Sequence, residues 1–288
     1  MKNKSLAFWL FLLPVLVALF MVIIIPFIYG IYYSFTNWNG DVTVNPKYVG
    51  FQNYANLIHD DAFIHALWFT FKYAIASVIV VNIIGLSLAL LVTSNIKSKN
   101  FLRTIFFMPN LIGGLILGFI WQFIFTKVFQ MIGETLHISW MQGWLSNTST
   151  GFWGMVILST WQMAGYIMII YIAYLENVPE DLIEAAEIDG ANSWQKFKNI
   201  TFPLVAPAFT VSMFLTLSGA FKIYDQNLSL TNGGPGNSTK MLAMDIVDSA
   251  FKMNLMGQAQ AKAVVFFLIV TAISLIQVYY NKKREVEM

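Results

Sequence analysis

The chain has 288 residues, of which 57% are apolar and only 11% charged, with a mean hydropathy of +0.63. Soluble domains carry about 25% charged residues, so this chain lacks the polar surface to meet water on every side, and lipid is the expected surrounding. The formal net charge is +2 without a basic stripe, which removes nucleic acid as an expected partner, and the lack of cysteine excludes disulfides, thiolate metal sites and thiol nucleophiles.

A helix needs about 20 mostly apolar residues to cross a hydrocarbon core. In chain order, stretches 6–33, 67–94, 102–125, 152–174, 206–224 and 261–280 qualify. The expected fold class is therefore all-α, a polytopic six-helix transmembrane bundle forming a single domain over residues 1–288. Pro14, Pro26, Gly85, Pro109, Gly113, Gly114 and Gly165 fall inside these spans. They do not veto helices, because neighbours in a membrane bundle satisfy freed backbone groups. The first span follows Lys2 and Lys4 as a signal peptide would, but its core is too long and no A-x-A cleavage site follows. It is expected to stay in the membrane.

Orientation follows the Lys/Arg bias of short loops. With the N-terminus inside, Lys2, Lys4, Lys97, Lys99, Arg103, Lys196, Lys198, Lys282, Lys283 and Arg284 are cytoplasmic, against Lys47, Lys127, Lys240 and Lys252 outside. Both termini are read as cytoplasmic. Lys72, Lys222 and Lys262 fall at outer span ends, where they are expected to snorkel. The outer stretch 241–251 is expected to form a short amphipathic helix lying at the interface.

Residues 175–205, between spans four and five, are punctuated as a helical hairpin on the cytoplasmic face. Asn177 is the expected N-cap, Pro179 fits a first turn, and Glu180 and Asp181 complement the positive helix end. Gly190 ends that helix, Ser193 is the expected cap of a second short helix reaching about 199, and Pro203 precedes the next span. Leu182, Ala185, Ala186 and Ile188 form a light apolar surface, while Glu184, Glu187 and Asp189 place negative charge at the helix C-terminus. That placement is unfavourable by a few tenths of a kcal/mol. Anionic headgroups would repel it. A docking surface for a basic partner explains it better.

Glu184-Ala185-Ala186, then Asp189-Gly190-Ala191, Ile200 and Pro203 resemble the EAA signature of permease subunits in binding-protein-dependent ABC importers. The run Phe221-Lys-Ile-Tyr-Asp225 followed by Leu230-Thr-Asn-Gly-Gly-Pro235 is similar to the sugar-importer branch. Gly257 with Ala259, Ala261 and Ala263 fits that branch too, as does Arg103 ahead of Phe107-Met108-Pro109 and Trp121. Within it the chain resembles multiple-sugar or raffinose-type permeases of Gram-positive bacteria. The resemblance implies a type I importer permease with N-in/C-in topology in a bacterial cell membrane. It implies that the first EAA helix couples to an ATPase: Glu184 meets a basic residue, Ala185 and Ala186 allow close approach, and Gly190 turns the chain beside Asp189. The implied partners are a second, different permease subunit, two cytoplasmic ATPase subunits and an extracytoplasmic sugar-binding protein. No cofactor is expected in this chain, ATP and Mg²⁺ belonging to the ATPase. Glu187, Asn192 and Trp194 receive no shared role.

The chemistry absent from the sequence points the same way. No G-x-x-x-x-G-K-[ST] occurs, and Asn232-Gly-Gly-Pro-Gly236 reads as a tight turn. No ionisable residue stands at the centre of a predicted span, which disfavours ion coupling. Lys222 and Asp225 are close enough in sequence to pair. No H-E-x-x-H or G-x-S-x-G occurs, and His59-Asp60-Asp61 reads as a helix start, so enzymatic activity is not expected. An ion-coupled secondary carrier is the alternative, as is the same architecture importing an amino sugar or polyol.

Sugars are bound by flat apolar faces and by groups that both donate and accept hydrogen bonds. Asn82, Asn110, Gln162, Thr216 and Ser218 are polar at predicted mid-span, with Trp161 and Tyr166 flanking Gln162. The resemblance adds Phe221, Lys222 and Tyr224. The expected substrate pathway is thus Trp161, Gln162, Tyr166, Ser218, Phe221, Lys222 and Tyr224.

Overall fold

The computed structural model describes residues 2–94 and 96–283; Arg284, which entered the charge bias, lies outside them. In chain order the main helices are α1 (Phe8–Ser34), α2 (Gln52–Leu57), α3 (Asp61–Thr93), α4 (Lys99–Phe107), α5 (Gly114–Thr135), α6 (Thr148–Leu175), α7 (Glu180–Ile188), α8 (Ser193–Leu204), α9 (Ala206–Phe221), α10 (Asp225–Leu230), α11 (Leu242–Val247) and α12 (Met256–Lys282). Among the described residues the only extended pairing is an isolated bridge between Thr36 and Tyr48. Among the described residues five helices, α1, α3, α5, α6 and α12, are long and apolar enough to cross a membrane. The pair α8 and α9, bent by 67°, makes a sixth if counted as one span.

The third span differs from the expected 102–125. Residues 102–107 belong to α4, a short helix whose Arg103 pairs with Glu176 at the end of α6 at 2.6 Å. Pro109 opens a 3₁₀ turn over Met108–Leu111, Gly113 is extended, and the spanning helix starts only at Gly114. Proline removes a donor and the chain turns extended through Ile112 and Gly113, so the apolar run is cut in two. At Gly165 the carbonyl of Phe106 comes so close that an added Cβ would lie 1.8 Å from it, which brings α4 onto α6.

Two compact units divide the chain. The first comprises residues 1–64 and 245–268. Here Lys262, expected to snorkel, is instead 3% exposed; its Nζ meets Asp60 at 2.8 Å, Asp245 at 2.7 Å and Ser249 at 3.0 Å. A buried ammonium is tolerable only when paired and hydrogen-bonded. Asn53 donates to the carbonyls of Ser34 and Thr36, each at 2.8 Å, closing the turn after α1. The apolar window of α1 has no buried residue.

The stretch 241–251 does not rest one-sided at an interface. It forms α11 and a π turn over Asp248–Lys252, and Met241, Leu242, Met244, Asp245, Asp248, Ser249 and Ala250 are all buried. Its acidic residues face ammonium partners in the protein, which a lipid surface would not supply.

The second unit comprises residues 65–244 and 269–288. Its core joins Val81, Ala89 and Val92 of α3 to Ile167, Met168, Tyr171 and Ile172 of α6, with Val205 and Ala208 at the start of α9. The α6 helix is the axis of this unit: its apolar window is 61% buried, the most among the five long spans described.

Candidate functional site

The hairpin is built by local signals. Pro179 is extended and precedes α7, with Glu180 and Asp181 in the first turn. Asn177 does not cap it; its side chain donates to the Ala173 carbonyl at 2.6 Å and so closes α6. After Asp189 the chain turns at Gly190, φ +82°, where an L side chain is strained. The Gly190 amide donates to the Glu187 carbonyl at 3.0 Å and the Ala191 amide to that of Ala186 at 2.9 Å, the two bonds of a Schellman turn.

The second arm is capped one residue earlier than expected. Asn192, not Ser193, accepts the Gln195 amide at 2.9 Å, while Gln195 Oε1 accepts the Asn192 amide at 2.8 Å. This reciprocal capping box satisfies two donors that a serine at 193 would leave open. Glu187 and Lys196 form an ion pair across the turn. Part of the acidic charge at the end of α7 is therefore met within the hairpin.

Glu184 and Asp189 are exposed and make no ion pair among the described residues. Beside them Ala185 is exposed and Ala186 half-buried, while Ile188 is 87% exposed. Glu184, Ala185, Ala186, Asp189, Gly190 and Ala191 thus share one helix and its turn. Ile200 and Pro203 are half-buried on the second arm, at and beyond a π turn over Phe197–Thr201.

Further along the second unit, a small cavity of about 110 Å³ opens between α3, α6 and α9, lined by Tyr73, Ser77, Ser159, Gln162, Met163, Thr216, Gly219 and Gln226 among others. Its polar wall is organised by amides. Gln162 donates to the Ile112 carbonyl at 2.9 Å and accepts from the Gln226 amide. Asn82 donates to Thr216 Oγ1 at 3.1 Å and accepts from Tyr171 at 3.0 Å. A second cavity of about 280 Å³ shares Gly219, Ile223 and Gln226 with the first and adds Gly114, Lys222, Tyr224 and Asp225. Lys222 is exposed and makes no ion pair with Asp225 among the described residues.

Of the expected pathway residues, Gln162, Lys222 and Tyr224 line these cavities. Trp161 does not. One position along a helix is a rotation of about 100°, which turns Trp161 to the far side of α6. There it meets Trp121 edge-on, with ring centroids 5.7 Å apart, in an apolar cavity of about 690 Å³ that Trp153, Ile84 and Pro109 also line. Tyr166 packs on the bundle core, Ser218 is half-buried outside the three cavities, and Phe221 is 1% exposed with its ring 6.4 Å from that of Phe71. Gln226, Tyr73, Ser77 and Ser159 were not anticipated. A glutamine directly after the Phe221–Asp225 run was the available signal for Gln226. Asn227 beside it donates to the Thr239 carbonyl at 2.8 Å and accepts the Met241 amide at 3.0 Å, bracing the turn at Gly233.

Residues 81–286 match the family model of the "Binding-protein-dependent transport system inner membrane component". The chain belongs to this family. Two relatives extend the match over nearly the whole length. The "probable starch degradation products transport system permease protein AmyD" of Thermoanaerobacterium thermosulfurigenes is 58% identical, over 98% of this chain and 96% of that protein. The "multiple sugar-binding transport system permease protein MsmF" of Streptococcus mutans is 32% identical, over 96% of each. A solved bacterial ABC transporter involved in import of the acidic polysaccharide alginate has a chain of the same fold, with TM-score 0.82, 19% identity and coverage of 98% of this chain and 96% of that one. As a member of this family the chain is an integral, non-enzymatic membrane component of a transport system. The hairpin and the polar cavities belong to one compact unit of that component.

Proposed function

We propose that this family member is the membrane-spanning subunit of an ATP-driven importer of oligosaccharides, such as those released from starch. The exposed acidic helix α7, with Glu184 and Asp189 unpaired and Gly190 turning the chain, carries the reading. Such a surface receives a basic cleft of a cytoplasmic ATPase, which binds ATP and Mg²⁺. Glu184 supplies the charge, Ala185, Ala186 and Ala191 permit close approach, and Ile200 and Pro203 lead from the hairpin toward α9. Both termini face the cytoplasm of a bacterial cell, as the basic loops favour.

One chain forms half of a pathway. A second permease subunit supplies the other half, two ATPase subunits drive it, and an extracytoplasmic binding protein delivers the sugar. Closure of the ATPases draws the hairpins together and turns the bundle by rigid-body rotation. The cavities suit a sugar chemically: Gln162 and Gln226 bring amide groups, Tyr73 and Ser77 add hydroxyls that donate or accept, and Ser159 and Thr216, which donate to backbone carbonyls, add acceptor oxygens. Lys222 and Tyr224 line the wider cavity, which shares three residues with the first. The names of the relatives support carbohydrate as the cargo class.

The test is charge reversal. In the assembled transporter, Glu184→Lys is expected to lower ATP-dependent maltotriose uptake at least tenfold while membrane insertion stays normal. Full uptake in that variant removes the coupling role. Uptake by the purified chain alone, driven by a sodium or proton gradient, establishes the secondary-carrier alternative instead.

A further inference from the structure

Four aromatic rings form an unbroken line from the hairpin into the helix that walls the cavity. Trp194 and Phe197 stand on α8 with centroids 5.7 Å apart, Phe197 and Phe202 follow at 6.0 Å, and Phe202 meets Phe209 of α9 at 6.2 Å. All three spacings lie within the range of attractive aromatic pairs, roughly 4.5–7 Å. The last crosses the 67° bend between α8 and α9.

Two backbone bonds meet at the bend, from the Val205 amide to the Thr201 carbonyl at 3.0 Å and from the Phe209 amide to the Val205 carbonyl at 3.3 Å. Around them the ladder is thinned: the arm carries a π turn over Phe197–Thr201, and Pro203 and Pro207, on either side of Val205, have no N–H to donate. Side chains add to the bracing. Val205 is 3% exposed in the bundle core, and the Phe202–Phe209 contact spans the bend beside it. Phe202 itself is 43% exposed, so core filling does not account for its place. On the hairpin side, the Glu187–Lys196 pair ties the two arms together, and the Asn192–Gln195 capping box fixes the start of the second.

We propose that Phe197, Phe202 and Phe209 are positioning residues that make the hairpin arm and α9 one rigid elbow. Displacement of α7 then arrives undiminished at Thr216 and Gly219 on the cavity wall. The proposal rests on the importer reading above.

The experiment uses the complete transporter in proteoliposomes, with maltotriose-loaded binding protein outside, and measures sugar imported per ATP hydrolysed. Phe202→Ala and Phe209→Ala each lower that ratio roughly 3- to 10-fold while hydrolysis continues, the scale expected of one lost aromatic contact. Phe202→Tyr keeps the ring and the ratio. Unchanged ratios in both alanine variants overturn the elbow and leave the rings as an interfacial belt.

Because the chain contains no cysteine, Phe202→Cys with Phe209→Cys can be bridged by a short reversible thiol cross-linker and compared before and after reduction. Bridging restores the ratio if the bend is rigid in function. If bridging blocks uptake, the bend must flex and the proposal fails. Should the wild-type complex couple no ATP hydrolysis to uptake, the importer reading falls and the elbow with it; coupled wild-type uptake with indifferent variants removes the elbow alone.

Discussion

An ammonium buried to 3% exposure must have its protons taken, and Lys262 finds Asp60, Asp245 and Ser249 for them. Replacing it by methionine keeps the volume and strands Asp245, whose side chain is only 2% exposed. Leaving one partner of a buried pair uncompensated costs about 3–5 kcal/mol, so Lys262→Met is expected to lower the midpoint of thermal unfolding markedly, and adding Asp245→Asn should recover part of the loss. Asp60 supplies the pH dependence. Burial pushes its carboxyl up, but the Lys262 ammonium and the amides of Phe63 and Ala62 together hold it below the ordinary carboxylate value. A depressed folded pKa contributes stability that is full above the unfolded value and disappears as pH falls through the folded one. Lys262→Met lacks that contribution at neutral pH and its stranded carboxylates are relieved by protonation, so the gap in thermal midpoint between wild type and variant should narrow as pH falls; a gap that does not change with pH would remove Lys262 from the account. In the sequence Lys262 reads as one more lysine at a span end, because its partners come from segments far along the chain.

At the scale of elements, the turn and the acidic helix start were legible, and the choice among competing caps was not. Gly190 and the acidic first turn of α7 placed the first hairpin helix correctly. The caps were misassigned because Asn177, Asn192 and Ser193 are all competent; Gln195 at the third position of the second arm decides for Asn192. The third span was misplaced for the opposite reason. The apolar run across 102–125 is continuous in hydropathy, yet Pro109 and Gly113 break it, and α4 is kept beside α6 by Arg103–Glu176 and by the bare face of Gly165. Gly165→Ala would set a Cβ 1.8 Å from the Phe106 carbonyl, a backbone atom that moves only with α4. Overpacking of this kind costs about 1–3 kcal/mol. The expected outcome is a lower thermal midpoint in detergent, with Ala164→Gly as a control for helix propensity; an unaltered midpoint would show that α4 yields freely.

For the whole molecule, composition and span length anticipated an all-α membrane protein, and the family match agrees. Sidedness is open to a direct check, since any introduced cysteine is unique. Val42 is 91% exposed in the segment after α1 and Ile188 is 87% exposed on the hairpin. A membrane-impermeant maleimide added to intact cells is expected to label Val42→Cys and to reach Ile188→Cys only after permeabilisation. The reverse pattern would turn the hairpin away from any cytoplasmic ATPase.

What the amino-acid order determined unaided was the solvent preference of each stretch and the turn at Gly190. Helices form wherever an apolar backbone must satisfy itself in lipid, and they run through Pro14, Gly85 and Gly165 but break at Pro109 and Gly113. The tertiary structure alone decided that Trp161 and Gln162, adjacent in the chain, line different cavities, and that Gln226 joins Gln162 at one of them. A helix side chain's surroundings depend on which distant segment packs against its face, and hydropathy carries no record of that choice.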